Sequence, residues 1–318
     1  MLNDSNRFRR ACCGAEQVSL LSERSRNGGK LRTVICMNCG LVWSDPFPHN
    51  PRQFYQDQYR LAYKQTYQPK AKHIVRAGGV ALTRHQKIKS LLAERQQVLD
   101  VGAGGGEFAY LLKALGHDVY GIEPNQGYAE YAKAQYALNL QQGFIQDADF
   151  AGQQFDLITI WHVLEHTENP LQVLNKLASL LRADGTLIVE VPNIEATCQA
   201  PSSTFHEAHL FNFNLASLSK MAEKAGLLVD RHLFSADGGN LTLFLHQSAA
   251  EKVENGAIPG NAERIAAICK AHTTLRHYLT VKPYLRFLRK MARSWSEQQQ
   301  VQGVASQDLL DQLYRHLL

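Results

Sequence analysis

The alternation of apolar and polar positions is most regular between about residues 97 and 248. Short apolar runs there alternate with amphipathic segments that end at glycine, which predicts strands alternating with helices. The strand candidates are 98–101, 118–122, 155–161, 186–191, 227–233 and 241–246; the helix candidates are 108–115, 127–138, 170–181 and 215–225. Such alternation predicts an α/β fold with a doubly wound parallel sheet, whose ligand lies at the carboxyl ends of the strands.

The regions on either side have other patterns. Residues 1–48 hold turn signals and strand candidates at 18–21 and 31–35, whereas 49–96 favours helices. Within that helical stretch tyrosines recur every four residues, which forms one aromatic stripe if the stretch is helical. Residues 249–318 show only helical patterns, such as 262–269 and 284–291. The chain therefore divides into four regions.

Charge divides the chain in nearly the same way. The net charge of +5 is the sum of +11 for residues 1–97, −10 for 98–248 and +4 for 249–318, which argues against a general affinity for nucleic acid. The first residues lack the apolar core of a secretory signal, and no apolar run reaches the roughly 18 residues of a membrane span. Four of the six cysteines lie in the first 39 residues, which is no disulfide framework. We expect a cytoplasmic protein.

The run from Val98 to Phe108 leads from a strand candidate through a glycine-rich turn into a helix candidate. Glycines at 102, 104 and 106 allow backbone to approach a ligand closely. A dinucleotide fingerprint needs glycine at position 107, where Glu107 stands, and the lysine of a phosphate-binding loop is absent. Glu123 ends the next strand candidate, where an acid accepts hydrogen bonds from ribose hydroxyls. The turn thus favours a cationic nucleoside without phosphate; the alternative is a tight turn with no ligand.

These motifs resemble the class I S-adenosylmethionine-dependent methyltransferases over about residues 97–246. The resemblance also rests on Asp147-Ala148, on the run from Trp161 to His166, on Val191-Pro192-Asn193 and on His209-Leu210-Phe211. It implies a Rossmann-like seven-stranded sheet with an antiparallel final strand, and S-adenosylmethionine as cofactor. The cofactor-binding residues that it implies are Asp100, Gly102, Ala103, Gly104, Gly106, Glu123, Pro124, Asp147, Ala148 and Trp161.

Histidines are the candidates for proton transfer. Methyl transfer from a sulfonium is an in-line displacement, and a hydroxyl acceptor benefits from a general base with a pKa near neutral. His162 and His166 follow the strand candidate at 155–161, and His206 and His209 follow the next one. We expect His166 and His209 to be catalytic, and His162 to be catalytic or a wall of the cofactor pocket; the alternative is that all are structural. We also consider Glu207 as a group that orients a histidine.

Cysteines near the start form a candidate zinc site. Cys36-Met37-Asn38-Cys39-Gly40 has the spacing of a zinc knuckle, and Cys12-Cys13-Gly14 is an irregular second pair. The candidate ligands of a structural zinc are Cys12, Cys13, Cys36 and Cys39. Cys12 replaces the expected first cysteine, or His49 completes the site, or the module has lost its metal.

The cysteine pattern and the Pro46-Phe47-Pro48 exit resemble those of methyltransferases that carry a zinc ribbon and act on sugars or small molecules. The resemblance implies a zinc-ribbon-like module (1–48), a helical lid (49–96) that closes over the donor through Tyr55 or Tyr59, a cofactor-binding domain (97–248) and a helical extension (249–318). The extension either caps the active site or forms a homodimer contact.

The function expected from these features is methylation of a small molecule or sugar. Sugar C-methyltransferases carry Tyr-x-Glu-His where this chain has His206-Glu207-Ala208-His209, which favours O- or N-methylation and leaves C-methylation open. The basic front favours an anionic acceptor, such as a nucleotide- or lipid-linked glycan. The alternatives are an RNA or protein methyltransferase that recognises its substrate through the ribbon, and a non-catalytic scaffold. A nucleic-acid partner is not expected, since aromatic-plus-basic stacking patterns are lacking.

Overall fold

The computed structural model describes residues 13–47, 52, 69–248, 256–301, 304 and 308–318. The described strands are β1 (Val18–Arg24), β2 (Lys30–Cys36), β3 (Val42–Ser44), β4 (Gln97–Val101), β5 (Asp118–Glu123), β6 (Asn139–Gln142), β7 (Phe155–Trp161), β8 (Leu181–Pro192), β9 (Phe211–Asn212), β10 (Leu227–Phe234) and β11 (Asn240–Gln247). The described α-helices are α1 (Ala71–Ile88), α2 (Glu107–Ala114), α3 (Gln126–Tyr136), α4 (Pro170–Leu180), α5 (Leu215–Lys224), α6 (Asn261–Ala271), α7 (Thr274–Tyr278), α8 (Lys282–Gln300) and α9 (Leu309–Tyr314). In this part of the chain, no helix combines the length and the apolar character needed to cross a bilayer.

Seven strands form the larger sheet, in the order β10-β11-β8-β7-β4-β5-β6. β4, β5 and β6 pair in parallel, whereas β11 pairs antiparallel with both β8 and β10. The expected seven strands and antiparallel final strand are confirmed. An all-parallel sheet, which the β/α alternation alone predicts, is wrong at the β10–β11 edge because a hairpin joins these two strands.

Asparagine caps position the helices that follow the strands. Asn125 Oδ1 accepts from the Tyr128 N–H at 3.1 Å before α3, and Asn169 Oδ1 accepts from the Gln172 N–H at 3.1 Å before α4. Each bond satisfies a backbone donor that the first helical turn leaves without a partner. These caps place the start of each helix directly after the loop at the end of a strand.

The smaller sheet has the order β1-β2-β3-β9, and its pairings are antiparallel. β9 contributes only Val42↔Asn212 and Trp43↔Phe211, so the N-terminal strands are completed by a segment from much later in the chain. Neither β3 nor β9 was among the strand candidates, because three and two residues are too short for a periodic signal.

Contacts divide the chain into two compact units. One unit comprises residues 1–51 and 160–285, and the other comprises residues 52–159 and 286–318. A core of the first unit joins the smaller sheet to α6 through buried residues that include Ile35, Val42 and Ile265. The four domains expected from the sequence stay a prediction.

Candidate functional site

The glycine-rich turn between β4 and α2 has the backbone that its sequence predicts. Gly102, Gly104 and Gly106 have φ values of 74°, 59° and 86°, in the left-handed region that favours glycine. A Cβ on Gly106 would lie 2.6 Å from Cδ1 of Leu138 and 2.9 Å from Cβ of Ala132, so that glycine also allows close packing. The turn therefore presents backbone rather than side chains on its inner side.

Glu123 holds this turn in place. Its Oε2 accepts from the Gly104 N–H at 2.9 Å and its Oε1 accepts from the Asn125 N–H at 3.1 Å, and the side chain is buried. The acid that the sequence assigns to a ribose is thus in place beside the turn, with Pro124 after it.

Asp100 and Asp147 have protein partners in the same unit. Asp100 is 1% exposed and accepts from Thr159 Oγ1 at 2.7 Å; burial raises the pKa of Asp100 to about 6. Asp147 is exposed and pairs with Arg52 at 2.7 Å, while Ala148 beside it is buried. The cofactor contacts expected of these residues and of Ala103 stay predictions, and Tyr59 and Tyr55 lie outside the described residues.

In the other unit, His162 bridges two buried carboxylates at the end of β7. Its Nδ1 lies 3.5 Å from Oε1 of Glu165, and its Nε2 lies 3.3 Å from Oε1 of Glu190. Burial lowers the pKa of His162, but the two carboxylates outweigh it and raise the pKa to about 9. The backbone φ of 55° is unusual for a side chain of this size, and such strained positions cluster at functional sites.

Glu165 is the centre of this cluster. It is 1% exposed, and neither carboxylate oxygen accepts a hydrogen bond from the described residues. Its Oε1 lies 3.7 Å from Nε2 of His166. Burial raises the pKa of Glu165, but the charges of His166 and His162 lower it to about 2. The carboxylate therefore stays ionised among histidines.

His166 and His209 are adjacent in the same unit. Nδ1 of His166 lies 2.6 Å from the Ala208 carbonyl oxygen. Because a carbonyl oxygen only accepts hydrogen bonds, Nδ1 carries a proton, and Nε2 faces Glu165. The rings of His166 and His209 meet edge to face, with centroids 4.8 Å apart. Burial, together with His166, lowers the pKa of His209 well below 6.5, so His209 is neutral at neutral pH.

The His209 ring also stacks on His206, with centroids 4.9 Å apart. Burial is the main reason that the pKa of His206 falls to about 4. The structure thus brings together His162, His166, His206 and His209, all of which the sequence singles out. None of the described residues forms a hydrogen bond with the His209 ring nitrogens.

Two carboxylates of the cluster, Glu165 and Glu190, were not among the candidate site residues. Glu165 stands between two of the candidate histidines, and Glu190 is a lone acid in the apolar run of β8, so each had a signal. Glu207, considered as an orienting acid, instead accepts from Ser25 Oγ at 2.5 Å and from Asn27 Nδ2 at 3.0 Å. Its hydrogen bonds lead to the β1–β2 turn, not to a histidine.

Three cysteines converge beside the smaller sheet. The sulfur atoms of Cys13, Cys36 and Cys39 lie within 4.8 Å of one another, with 3.5 Å between Cys13 and Cys36. The neighbouring thiols and burial raise the pKa of the Cys36 thiol. Three soft donors at this spacing fit zinc. Cys12 and His49, the other candidate ligands, lie outside the described residues.

Comparison with known proteins decides the family. A profile described as "Methyltransferase domain" matches residues 69–232, more than half of the 318 residues. The chain belongs to this methyltransferase family. Residues 69–232 are a class I S-adenosylmethionine-dependent methyltransferase domain, as the motifs led us to expect, whereas the zinc-ribbon subgroup stays a prediction.

Curated relatives match parts of the chain. It is 24% identical over 162 residues to a probable S-adenosylmethionine-dependent methyltransferase of Mycolicibacterium smegmatis, covering 50% of this chain and 63% of the relative. It is 25% identical over 195 residues to C-methyltransferase NovU of Streptomyces niveus, covering 57% and 46%. It is 28% identical over 153 residues to the ubiquinone biosynthesis O-methyltransferase of Aeromonas salmonicida, covering 42% and 63%. The matches span about half to two thirds of these relatives.

Proposed function

We propose that this protein transfers the methyl group of S-adenosylmethionine to a hydroxyl or amine of a small molecule or sugar. The observation that carries the proposal is the cluster of Glu165 with His162, His166 and His209, which provides a neutral histidine beside a fixed ionised carboxylate. The donor supplies an electrophilic methyl group on a sulfonium. The chain must therefore hold the donor, hold the acceptor and take the acceptor's proton.

The turn after β4 is the proposed donor site. Its glycines leave room for a ligand against the backbone, and two backbone N–H groups hold the Glu123 carboxylate beside it. No basic side chain stands in the turn, whereas Glu107 follows it, which suits a cationic donor. We assign donor contacts to Gly102, Ala103, Gly104 and Glu123, and adenine contacts to Asp147 and Ala148.

His209 is the proposed general base. Both nitrogens of His166 are directed towards protein groups, whereas those of His209 have no hydrogen-bond partner among the described residues. A neutral ring with an available lone pair accepts the proton of the acceptor as its oxygen or nitrogen attacks the methyl carbon and the carbon–sulfur bond breaks. His166 is then a positioning residue, and Glu165 favours the protonated form of nearby histidines.

The acceptor is the other half of the proposal. The relatives include one named as a C-methyltransferase and one named as a ubiquinone biosynthesis O-methyltransferase. The departure of residues 206–209 from Tyr-x-Glu-His supports O- or N-methylation ahead of C-methylation. The +11 charge of residues 1–97 supports an anionic acceptor, such as a nucleotide- or lipid-linked glycan.

Calorimetric titration with S-adenosylmethionine tests the donor half. Glu123→Ala is expected to weaken donor binding about tenfold or more, because a hydrogen-bonded carboxylate is lost from the site. Glu94→Ala, an exposed acid in the same unit, is the matched control and is expected to bind as the wild type does. Equal affinity of the wild type and Glu123→Ala would refute the assignment of the donor to this turn.

A further inference from the structure

Helix α8 exposes an apolar side. Six large side chains on it have between 46% and 70% of their surface exposed. They are Tyr284, Leu285, Phe287, Leu288, Met291 and Trp295. We call this set the apolar face of α8. Scattered exposed apolar residues are normal on proteins, but a contiguous set along one helix marks an interaction surface.

The remaining side of α8 is cationic. At about 100° of rotation per residue, the apolar face covers an arc of roughly 160°, and five cations cluster within roughly 100° on the opposite side. The cations are Lys282, Arg286, Arg289, Lys290 and Arg293, and all are exposed. The helix is therefore strongly amphipathic.

The helix packs on the protein with its polar side. Glu297 is its one buried residue, and its carboxylate pairs with Arg76 of α1 at 2.6 and 2.9 Å. Ser294 Oγ accepts from Lys72 Nζ at 2.8 Å. A helix that covers a core does the reverse and buries its apolar side. Within the part of the chain that the structure describes, α8 contacts the protein through its polar side, and its apolar face stays exposed.

Charge favours a lipid surface as the occupant. Residues 264–296 hold eight Lys and Arg and no Asp or Glu. A second copy paired through this face would add its own cations to this region, whereas anionic headgroups neutralise the charge. Aromatic and leucine side chains opposite a Lys/Arg side are typical of helices that lie in the membrane interface. We propose that α8 binds an anionic phospholipid surface with its apolar face at the boundary between headgroups and acyl chains.

Vesicle binding by the full-length protein tests this proposal. Partition onto phosphatidylcholine vesicles that contain roughly a quarter phosphatidylglycerol is expected to be about tenfold or more stronger than onto phosphatidylcholine alone, and to weaken as salt is added. Trp295 emission is expected to shift to the blue on binding. Trp43 and Trp161 are buried, so the shift reports on Trp295.

The double variant Phe287→Ser, Trp295→Ser is expected to lose at least about tenfold in vesicle partition, because apolar area drives insertion. Its unfolding midpoint should match the wild type, since both side chains are exposed. The control is Leu228→Ser, Phe234→Ser, which removes exposed apolar side chains from β10 and should bind as the wild type does.

Three outcomes would overturn the proposal. One is equal partition onto neutral and anionic vesicles. Another is undiminished binding by the double variant. The third is no vesicle binding together with a concentration-dependent dimer, measured by analytical ultracentrifugation, that the double variant abolishes; that result would make a second copy of the chain the occupant. None of these measurements depends on the proposed methyl transfer.

Discussion

Replacing Glu165 by glutamine removes one of the two carboxylates that hold His162 charged. The side chain keeps its size, so the change tests charge rather than packing. His162 then keeps only Glu190, 3.3 Å away, and the pKa of His162 is expected to fall from about 9 towards 6.5. The variant should therefore be less stable wherever His162 is protonated in the wild type.

The expected loss follows from the pKa of His162. A rise from 6.5 to about 9 corresponds to roughly 3 kcal/mol. The His162 side chain is 35% exposed, so water screens the interaction and about half of that is realised. Because Glu165 and Glu190 share the effect, removal of one carboxylate is expected to lower the free energy of unfolding by about 1 kcal/mol.

The loss of stability is expected to depend on pH. A raised pKa contributes stability that is present below 6.5 and lost as the pH rises through about 9. Glu165, with its pKa lowered to about 2, contributes above its ordinary 4.5 and loses this contribution only as the pH falls through about 2. The difference between wild type and Glu165→Gln should thus be largest near about pH 6 and shrink above about pH 9.

Urea unfolding at these two pH values measures the difference. The exposed Glu23 in β1 offers a matched control, and Glu23→Gln is expected to change stability by less than about 0.5 kcal/mol. If Glu165→Gln were as stable as the wild type at both pH values, the charged histidine–carboxylate cluster would not exist as described.

Three further outcomes are expected. His209→Gln should lower kcat by about 10²- to 10⁴-fold with donor affinity unchanged. The wild-type rate should not fall as the pH drops through 6.5, because the pKa of His209 lies well below that value. His246→Gln is the control, and a normal kcat in His209→Gln would exclude His209 as the base. Cys36→Ser should lower the zinc content measured by mass spectrometry, whereas Cys198→Ser should not; equal content in both would exclude zinc at Cys36. Gly106→Ala should lower the free energy of unfolding, measured in urea, by about 1–3 kcal/mol, because φ is 86° and a Cβ would lie 2.6 Å from Cδ1 of Leu138. Unchanged stability would show that this turn relaxes freely.

The sequence predicted the bounds of most strands of the larger sheet, and of the helices between them, to within a few residues, because each has a strong local period. It predicted the glycine turn for the same reason, since Gly102 and Gly104 stand between a strand and a helix. β6 was missed because its four residues, Asn139–Gln142, are mostly exposed and polar. The strand candidate at 186–191 is too short, since β8 begins at Leu181.

What the sequence left out depends on residues far apart in the chain. β9 pairs with β3 across about 170 positions of the chain. Glu190 reaches His162 only because their chain segments meet at the end of β7, where the His162 N–H donates to the Glu190 carbonyl oxygen at 2.8 Å. No local pattern encodes such pairings. The sequence likewise predicted a helix at 284–291, but only the contacts of Arg76 with Glu297 show which side of it packs on the protein.

Transfer of a labelled methyl group tests the central claim most directly. Cell extract incubated with the purified protein and methyl-labelled S-adenosylmethionine should yield a small molecule that carries the label, together with one equivalent of S-adenosylhomocysteine. The wild type should form this product, and His209→Gln should form at least about 10²-fold less of it. Absence of any labelled product with the wild type, at donor concentrations that saturate its binding, would contradict the account.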